Sequence, residues 1–428
     1  MKRYESYRES GVEWLGKIPV NWDLVKLKYV METKSGSSIN AELISDDFHI
    51  PVLGGNGILG KSQDYNSEGK DIIIGRVGAH CGNVHLMNGK KWVTDNALLI
   101  KSKISEEYLA YVLRFLELNR LANTNAQPLI TGTIIKEQFI VLPKDKKHLF
   151  QITNYLNHKT QIIDALIEKK EQLIKKLQAQ RQAIINEAVT KGLNPNAKLK
   201  DSGVEWLGEI PEHWEVKRTK YLLNEKDGIK IGPFGSALKL DTLVEKGIKI
   251  YGQGNVIKDD FKLGHRYLPL ERFEENFQQY EILEGDILVT MMGTTGKSKV
   301  FNNSYERGIL DSHLLRLRFN ENLFNGYLFS IILQQADYIF QQISFNSVGS
   351  IMAGLNSAII KKIKIITPPL NEQLEVLEFI NIESKKIDSV ISKSKNQIKK
   401  LKAYRQSTIS EAVTGKIDVR DWQAPTKN

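Results

Sequence analysis

The chain states one motif twice. Residues 10–22 read SGVEWLGKIPVNW and residues 202–214 read SGVEWLGEIPEHW, with ten of thirteen positions identical at an offset of 192. Chance does not produce such a match, and self-similarity on this scale means that one structural unit is used more than once. Four of the six tryptophans, Trp14, Trp22, Trp206 and Trp214, stand inside these copies. A second pairing follows at an offset of 224: Ile163-Asp164 with Ile387-Asp388, IKKL at 174–177 with IKKL at 398–401, and EAVT at 187–190 with EAVT at 411–414. The larger offset gives the second copy 32 more residues between its shared ends. Those ends bracket two divergent stretches, about 25–145 and 217–368, in which DIII at 71–74 with Gly78 still resembles DILV at 286–289 with Gly293. The reading is two copies of one domain type, specialised differently.

The later repeat is helical. No Gly or Pro interrupts 157–189 or 372–413. Positions 163, 167, 170, 174, 177, 181, 184 and 188, and their counterparts from 387 to 412, step by fours and threes in the manner of a coiled-coil seam. Lys170, Arg181, Ser394 and Arg405 interrupt the apolar seam, and polar seam residues fix register more than they stabilise. Roughly 40 residues at about 1.5 Å each make a helix about 60 Å long. Gly192 and Gly415 stop the helices, as a residue free to turn left-handed should. Two such helices in one chain most simply pair with each other antiparallel, relating the halves by a pseudo-twofold axis. The sequence is also nearly cyclic: EAVTKGL leads into SGVEWLG mid-chain, EAVTGKI ends the chain, and KRYESYRE precedes SGVEWLG at its start. The two ends are therefore expected close together. The predicted architecture is α+β, with a mixed α/β domain over 1–147, a long helix over 148–193, a second such domain over 194–370, a second long helix over 371–415 and a tail over 416–428.

Charge suggests the partner. Sixty Lys and Arg against fifty Asp and Glu leave a net charge of +10, a footprint suited to a polyanion, since each neutralised phosphate releases condensed counterions. An apolar fraction of 41% suffices for real cores. The single cysteine, Cys81, cannot form an internal bridge, which fits a reducing compartment. The basic start lacks the apolar run of a signal peptide, and no stretch approaches 18 apolar residues. The expectation is a cytoplasmic protein with no membrane partner.

Catalytic motifs are missing. A flipped adenine's amino group is held by an Asn-Pro-Pro or Asp-Pro-Pro loop, whereas Thr367-Pro368-Pro369 here precedes Leu370. The Gly-rich pieces LGGNG (53–57) and YGQGN (251–255) occur at similar places in both halves, so they read as turns or exposed loops and not as a nucleotide site. The segment 293–298, GTTGKS, imitates a phosphate-cradling loop, but the required first Gly is Met291. His80, Cys81 and His85 lack a fourth ligand for a structural zinc site. Neither a cofactor nor a metal is expected, and the chain is read as no enzyme.

Taken together, SGVEWLGxIPxxW in both halves, the strand-turn pair GKDIIIGRVGAHCG and GDILVTMMGTTG, PPLNEQ at 368–373 and the two Ile-Asp-rich helices resemble the specificity subunits of type I restriction-modification systems across nearly the whole chain. One departure is LPKDKKHLFQ (142–151) where the second copy has TPPLNEQLEV. The resemblance implies that each variable region is a target recognition domain reading one half of a split double-stranded DNA site, with the helices setting the gap. It also implies that repeated regions dock two methyltransferase subunits, which restriction-translocase subunits then join. Side chains suited to groove reading or phosphate holding are Arg76, His80, Asn83, Lys90 and Lys91 in the first half. In the second they are Lys239, Gln253, Asn255, Thr294, Thr295, Lys297 and His313. Trp14, Trp22, Trp206 and Trp214 are core anchors and also the candidate partner contacts. The alternative, a self-contained DNA methyltransferase or restriction enzyme, is disfavoured by the missing motifs. A coiled-coil scaffold without a DNA role is disfavoured by the large Gly-bearing, strand-rich heads.

Overall fold

A computed structural model describes residues 2–123, 128–204, 206–234, 237–292, 296–346 and 355–425. The chain divides into two compact units, one comprising 1–172 with 394–428 and the other 173–393. The division falls inside two long helices, Lys146–Lys191 and Leu370–Val413.

The seam spacing explains why these helices pair. Ile163, Ala188, Ile387, Ile391, Ser394, Thr408 and Ala412 are buried. Between 164 and 180, positions 167, 170, 174 and 177 are half-buried and all the others exposed. In the first unit Arg405 Nε donates to Asp164 at 2.8 Å and Lys170 Nζ to Gln397 at 2.6 Å. Rising numbers on one helix thus meet falling numbers on the other, an antiparallel pair. In the second unit Arg181 donates to Asp388 at 2.9 Å, repeating the Arg405–Asp164 pair at equivalent positions. Exposed pairs of this kind add little stability; their value is register.

Each unit is built on an antiparallel four-stranded sheet. In the first the order is Met31–Ser35, Ala97–Ser102, Asp71–Gly75, Val84–Met87; in the second it is Ile229–Ile231, Leu314–Leu317, Ile287–Thr290, Ser298–Val300. A second sheet lies beside each. Ile50–Gly54 pairs antiparallel with Gly57–Ser62 and parallel with Trp92–Val93, just as Ile248–Tyr251 pairs with Tyr267–Leu268 and Gly308–Leu310. The second unit adds the strand Glu281–Ile282. Its extra length is concentrated here: Gly54 precedes Asp71 by 17 residues, whereas Gly252 precedes Asp286 by 34.

The repeated tryptophan motif has a packing explanation. Both helices end at a glycine in the left-handed region, Gly192 at φ +74° and Gly415 at φ +69°. A Cβ at Gly192 would stand 2.9 Å from the Trp214 ring, and one at Gly415 would stand 2.6 Å from Pro19 and 3.4 Å from Trp22. Each unit therefore seats its second motif tryptophan against a helix terminus. Ile409, Ala412, Val413, Ile417 and Val419 join the first unit's core, while Ile185, Ala188 and Val189 join the second's. Burying one such aliphatic side chain contributes about 1.5–3 kcal/mol. The chain ends meet in the first unit as expected, with Asp418 N–H donating to Lys2 O at 3.0 Å and the Tyr7 hydroxyl to Gly415 O at 3.2 Å.

Candidate nucleic-acid interface

Strand direction decides which loops can act together. In the first unit Gly75 pairs with Ala97, and Ile74 with Val84. The end of the central strand therefore lies beside the start of both neighbours. Gly54 ends its own strand at the same level, since a Cβ at Gly75 would sit 2.2 Å from Gly55 O. These ends form a rim. Arg76 N–H donates to Asn96 O at 2.9 Å, Gly75 N–H to Asn83 O at 2.9 Å and Ile130 N–H to Arg76 O at 2.9 Å. Arg76 is half-buried, with Nη1 3.4 Å from Ser35 Oγ; His80 and Asn83 are exposed. The structure thus brings Arg76, His80 and Asn83 together on one edge.

Lys90 and Lys91 do not belong there. The strand Val84–Met87 runs away from the rim, so that Met87 pairs with Asp71. Lys90 is exposed at that far end, its Nζ 4.6 Å from the centre of the Tyr65 ring. Lys91 is fully buried, donating to Gly69 O at 2.6 Å and Gly89 O at 2.9 Å, with Asp71 Oδ2 at 2.9 Å. A buried lysine needs such a partner, and this one cannot reach a phosphate without dismantling the domain; its assignment to the DNA face is corrected. Burial alone would raise the Asp71 carboxyl, but hydrogen bonds from Lys101, Ser67 and Lys91 outweigh it and hold the group below its usual range. At the equivalent place Asp286 is buried beneath Arg318, which donates from Nε and Nη2 at 2.7 Å each. These aspartates organise the base of the sheet.

The second unit repeats the rim. Thr290 pairs with Leu314 and Val289 with Ser298. Gly232 N–H donates to Leu314 O at 3.1 Å, Met291 N–H to His313 O at 3.2 Å, and Met292 N–H to Gln253 Oε1 at 3.2 Å. Lys297 and His313 are exposed and Gln253 is half-buried. Lys239 is exposed further along the loop that leaves Gly232. Asn255 is a second correction. It is buried, its Oδ1 accepts from Gly252 N–H at 2.9 Å, and its Nδ2 donates to Asp260 O and Leu263 O at 3.0 and 2.8 Å. With both amide hydrogens given to its own turn, it has no donor left for the bidentate contact by which an asparagine reads adenine. Thr294 and Thr295 lie outside the described residues. Phe234, on the same loop as Gly232, has no hydrogen-bonding group in its side chain and so is not among the predicted readers. Its signal in the sequence is an aromatic flanked by Gly232-Pro233 and Gly235.

Among the tryptophans, Trp22 and Trp214 are fully enclosed, so as partner contacts they are corrected to core residues. Trp14 is 51% exposed beside Phe115, and Trp206 is half-buried against Tyr338. Two clefts occupy equivalent places. One of about 750 Å³ in the first unit is lined by Tyr7, Tyr155, Thr408, Glu411 and Ile417. One of about 420 Å³ in the second is lined by Leu199, Phe379, Ile184, Glu187 and Leu193, the counterparts of those five. The Cys81 thiol is buried, pushed up by desolvation, and 3.2 Å from Arg76 O, while burial and then Arg114 lower His85. Among the described residues no group of three or more His, Cys, Asp or Glu could hold a metal ion, and no helix is long and apolar enough to cross a membrane.

A family model described as type I restriction modification DNA specificity domain matches residues 19–179 and 239–400. The type I restriction enzyme MjaVIII specificity subunit of Methanocaldococcus jannaschii is 23% identical over 95% of this chain and 95% of its own. The EcoprrI specificity subunit of Escherichia coli is 27% identical over 35% of this chain and 38% of its own. A solved chain from work on complex assembly and conformational transition of the type I R-M system matches with a TM-score of 0.68 at 14% identity, covering 94% of this chain and 99% of that one. That likeness is one of fold.

Proposed function

Since this chain belongs to the type I restriction-modification DNA specificity family, we propose that each of its two units reads one half of a split double-stranded DNA site through its rim. The chain supplies the DNA specificity of such a system and is not its catalytic subunit. The observation that carries the two-reader proposal is the duplication itself: one strand order, used twice, presents two rims whose loops differ in length and side chains. Arg76, His80 and Asn83 serve the first half-site, and Gln253, Lys297, His313 and Lys239 the second. Arginine and glutamine edges can distinguish guanine and adenine, while lysines hold phosphates and set register. The two long helices fix the unread gap.

Two methyltransferase subunits dock on the repeated parts, one to each unit, and restriction subunits join through them. The paired clefts support this, as do the exposed apolar pairs Phe150 with Leu374 and Leu166 with Val390, which recur at the 224-residue offset. Apolar side chains left in water at matching places suit a partner bound twice. Trp14 and Trp206 lie on the other repeated element, the motif at 10–22 and 202–214.

The test is an exchange. Residues 25–145 are replaced by the corresponding block of a relative, and methylated adenines are mapped in a genome that encodes the assembled system. One half of the target should change and the other stay. A change in both halves, or loss of methylation from a folded and assembled complex, overturns the reading.

A further inference from the structure

Phe234 is 80% exposed, the most exposed large apolar side chain among the described residues. Leaving such a ring in water forgoes about as much free energy as a core phenylalanine gains on burial, so its presentation calls for a reason. The backbone that carries it is held on both sides. Gly232 donates to Leu314 O at 3.1 Å, and a Cβ there would collide with Asp311 O at 1.9 Å, so the chain passes tight against the sheet end. Pro233 is buried with its φ fixed by the ring, and Phe234 O accepts from Ala237 N–H at 2.8 Å. The Ala237 carbonyl in turn accepts from Arg272 Nη2 at 3.2 Å. A side chain on so anchored a turn points outward because the fold places it there.

The location narrows the role. The same rim carries Gln253, His313 and Lys297, all hydrogen-bonding or cationic. The counterpart of Gly232 is Gly36, which packs in the same way, a Cβ there standing 2.2 Å from Thr94 O. Two residues on, the first unit has Ser38, exposed, where the second has Phe234. The ring is therefore a property of one half only, which a feature required by the shared fold would not be.

We propose that Phe234 is a specificity-determining residue of the second half-site, contacting the 5-methyl group of one thymine in the major groove. This rests on the reading of the rims as DNA-facing. Apolar side chains distinguish thymine by that methyl, and the major groove, about 12 Å wide, admits a ring beside several polar readers. An intercalating wedge is the other use of an exposed phenylalanine, but wedges enter the narrower minor groove, which has no room for Gln253, His313 and Lys297 alongside.

The experiment uses the complex assembled with its partner subunits and a duplex bearing its mapped target. Each thymine of the second half-site, on either strand, is replaced in turn by deoxyuridine, which lacks only the methyl. Binding is measured for the unmodified protein, Phe234→Ser and Phe234→Leu. At one thymine the unmodified protein should lose about four-fold in affinity, the worth of one methyl withdrawn from water. Phe234→Ser should be insensitive there and relax discrimination at that position alone, while Phe234→Leu should keep part of the preference. Thermal unfolding of both variants should match the unmodified protein, since the ring is outside the core.

A loss on Phe234→Ser that is the same for every sequence, with no deoxyuridine effect anywhere, overturns the proposal. So does a half-site kink, seen as 2-aminopurine fluorescence, that depends on Phe234. If the unmodified protein shows no base preference in the second half-site, the reading of the rims has failed; if preference stands and Phe234→Ser leaves it untouched, only the assignment of Phe234 has.

Discussion

The two units seat the same tryptophan in the same place and secure it differently. In the second, Trp214 Nε1 donates to Glu372 Oε2 at 2.9 Å, and His213 Nε2 lies 2.7 Å from the other oxygen. The neighbouring Gln373 is buried, donating to Leu323 O and Pro368 O while accepting from Asn325 N–H. This is what the PPLNEQ segment does. In the first unit the places of Glu372 and Gln373 fall to His148 and Leu149. His148 packs edge-on to Trp22 and bonds the Tyr4 hydroxyl at 2.8 Å, leaving the Trp22 indole N–H buried without a partner. The ring against the helix glycine is common to both units; the polar clasp is not. Shape complementarity at the helix terminus specifies the fold, and hydrogen bonding around it is free to diverge so long as each buried charge keeps a counterpart.

The strongest test of that division strikes the charges. Asp71→Ala leaves the buried Lys91 without a carboxylate and should cost about 3–5 kcal/mol. Asp286→Ala takes two hydrogen bonds from Arg318 but leaves Arg316 and Arg318 paired with Asp227, so it should cost less. Hydrogen exchange should show each loss confined to its own unit. Protection lost equally in both would break the comparison, because the units would not be independent.

The rims come next. Arg76 is half-buried and steadied by Ser35, as a base-reading side chain must be, so Arg76→Ala should cost about 1–3 kcal/mol and relax one position of the first half-site. Lys297 is exposed beside Gly296 and suits a phosphate. Lys297→Ala should weaken binding to all sequences alike and lower the slope of log affinity against log salt by about one. Binding titrations over a salt series separate the outcomes; a base-specific loss at Lys297 would reverse the assignment.

The clasp itself is sharper and smaller. Trp214→Phe and Trp22→Phe remove similar ring area, but only the first leaves a carboxylate short of a donor. Trp214→Phe should therefore be the more destabilising by about 1–2 kcal/mol, read by urea unfolding. Equal losses would mean that the Glu372 bond adds nothing to the packing.

The smallest effect is on pH. Burial, and less so Arg420, outweighs Asp418 and Asp145 in holding the folded His148 below its ordinary value. The unfolded chain then takes up the proton first, so stability rises with pH across this range and is lost as pH falls through about 6.5. The first unit's melting temperature should drop between pH 7.5 and 5.5, and His148→Gln should flatten that response. An unchanged response in the variant would place the proton elsewhere.

How much of this the sequence foretells depends on whether the signal is local. The helices were legible because a seam such as 163, 167, 170, 174, 177 recurs without Gly or Pro to break it. The duplicated domain was legible because SGVEWLG and EAVT repeat around it. The rim was only partly so. Arg76 and Lys297 follow or precede a strand end and land on it, but Lys90 and Lys91, equally basic and a few residues further, are carried to the far end by one more strand. Asn255 looked like a base reader until its amide proved to be spent on its own turn. Proximity in sequence does not survive a strand reversal, and hydrogen-bonding capacity says nothing about whether it is already used.

The first unit's floor is made by residues 394–428, which lie more than 220 positions after the rest of it. A ribosome adds about 5–20 residues per second, so for a period on the order of ten to forty seconds the amino-terminal half stands finished but for its base. The cluster that holds Ile72, Leu98 and Tyr108 meanwhile lacks its members Ile409, Val413 and Ile417, whereas the later-made unit is continuous from 173 to 393. The half that is synthesised first is thus the last to mature.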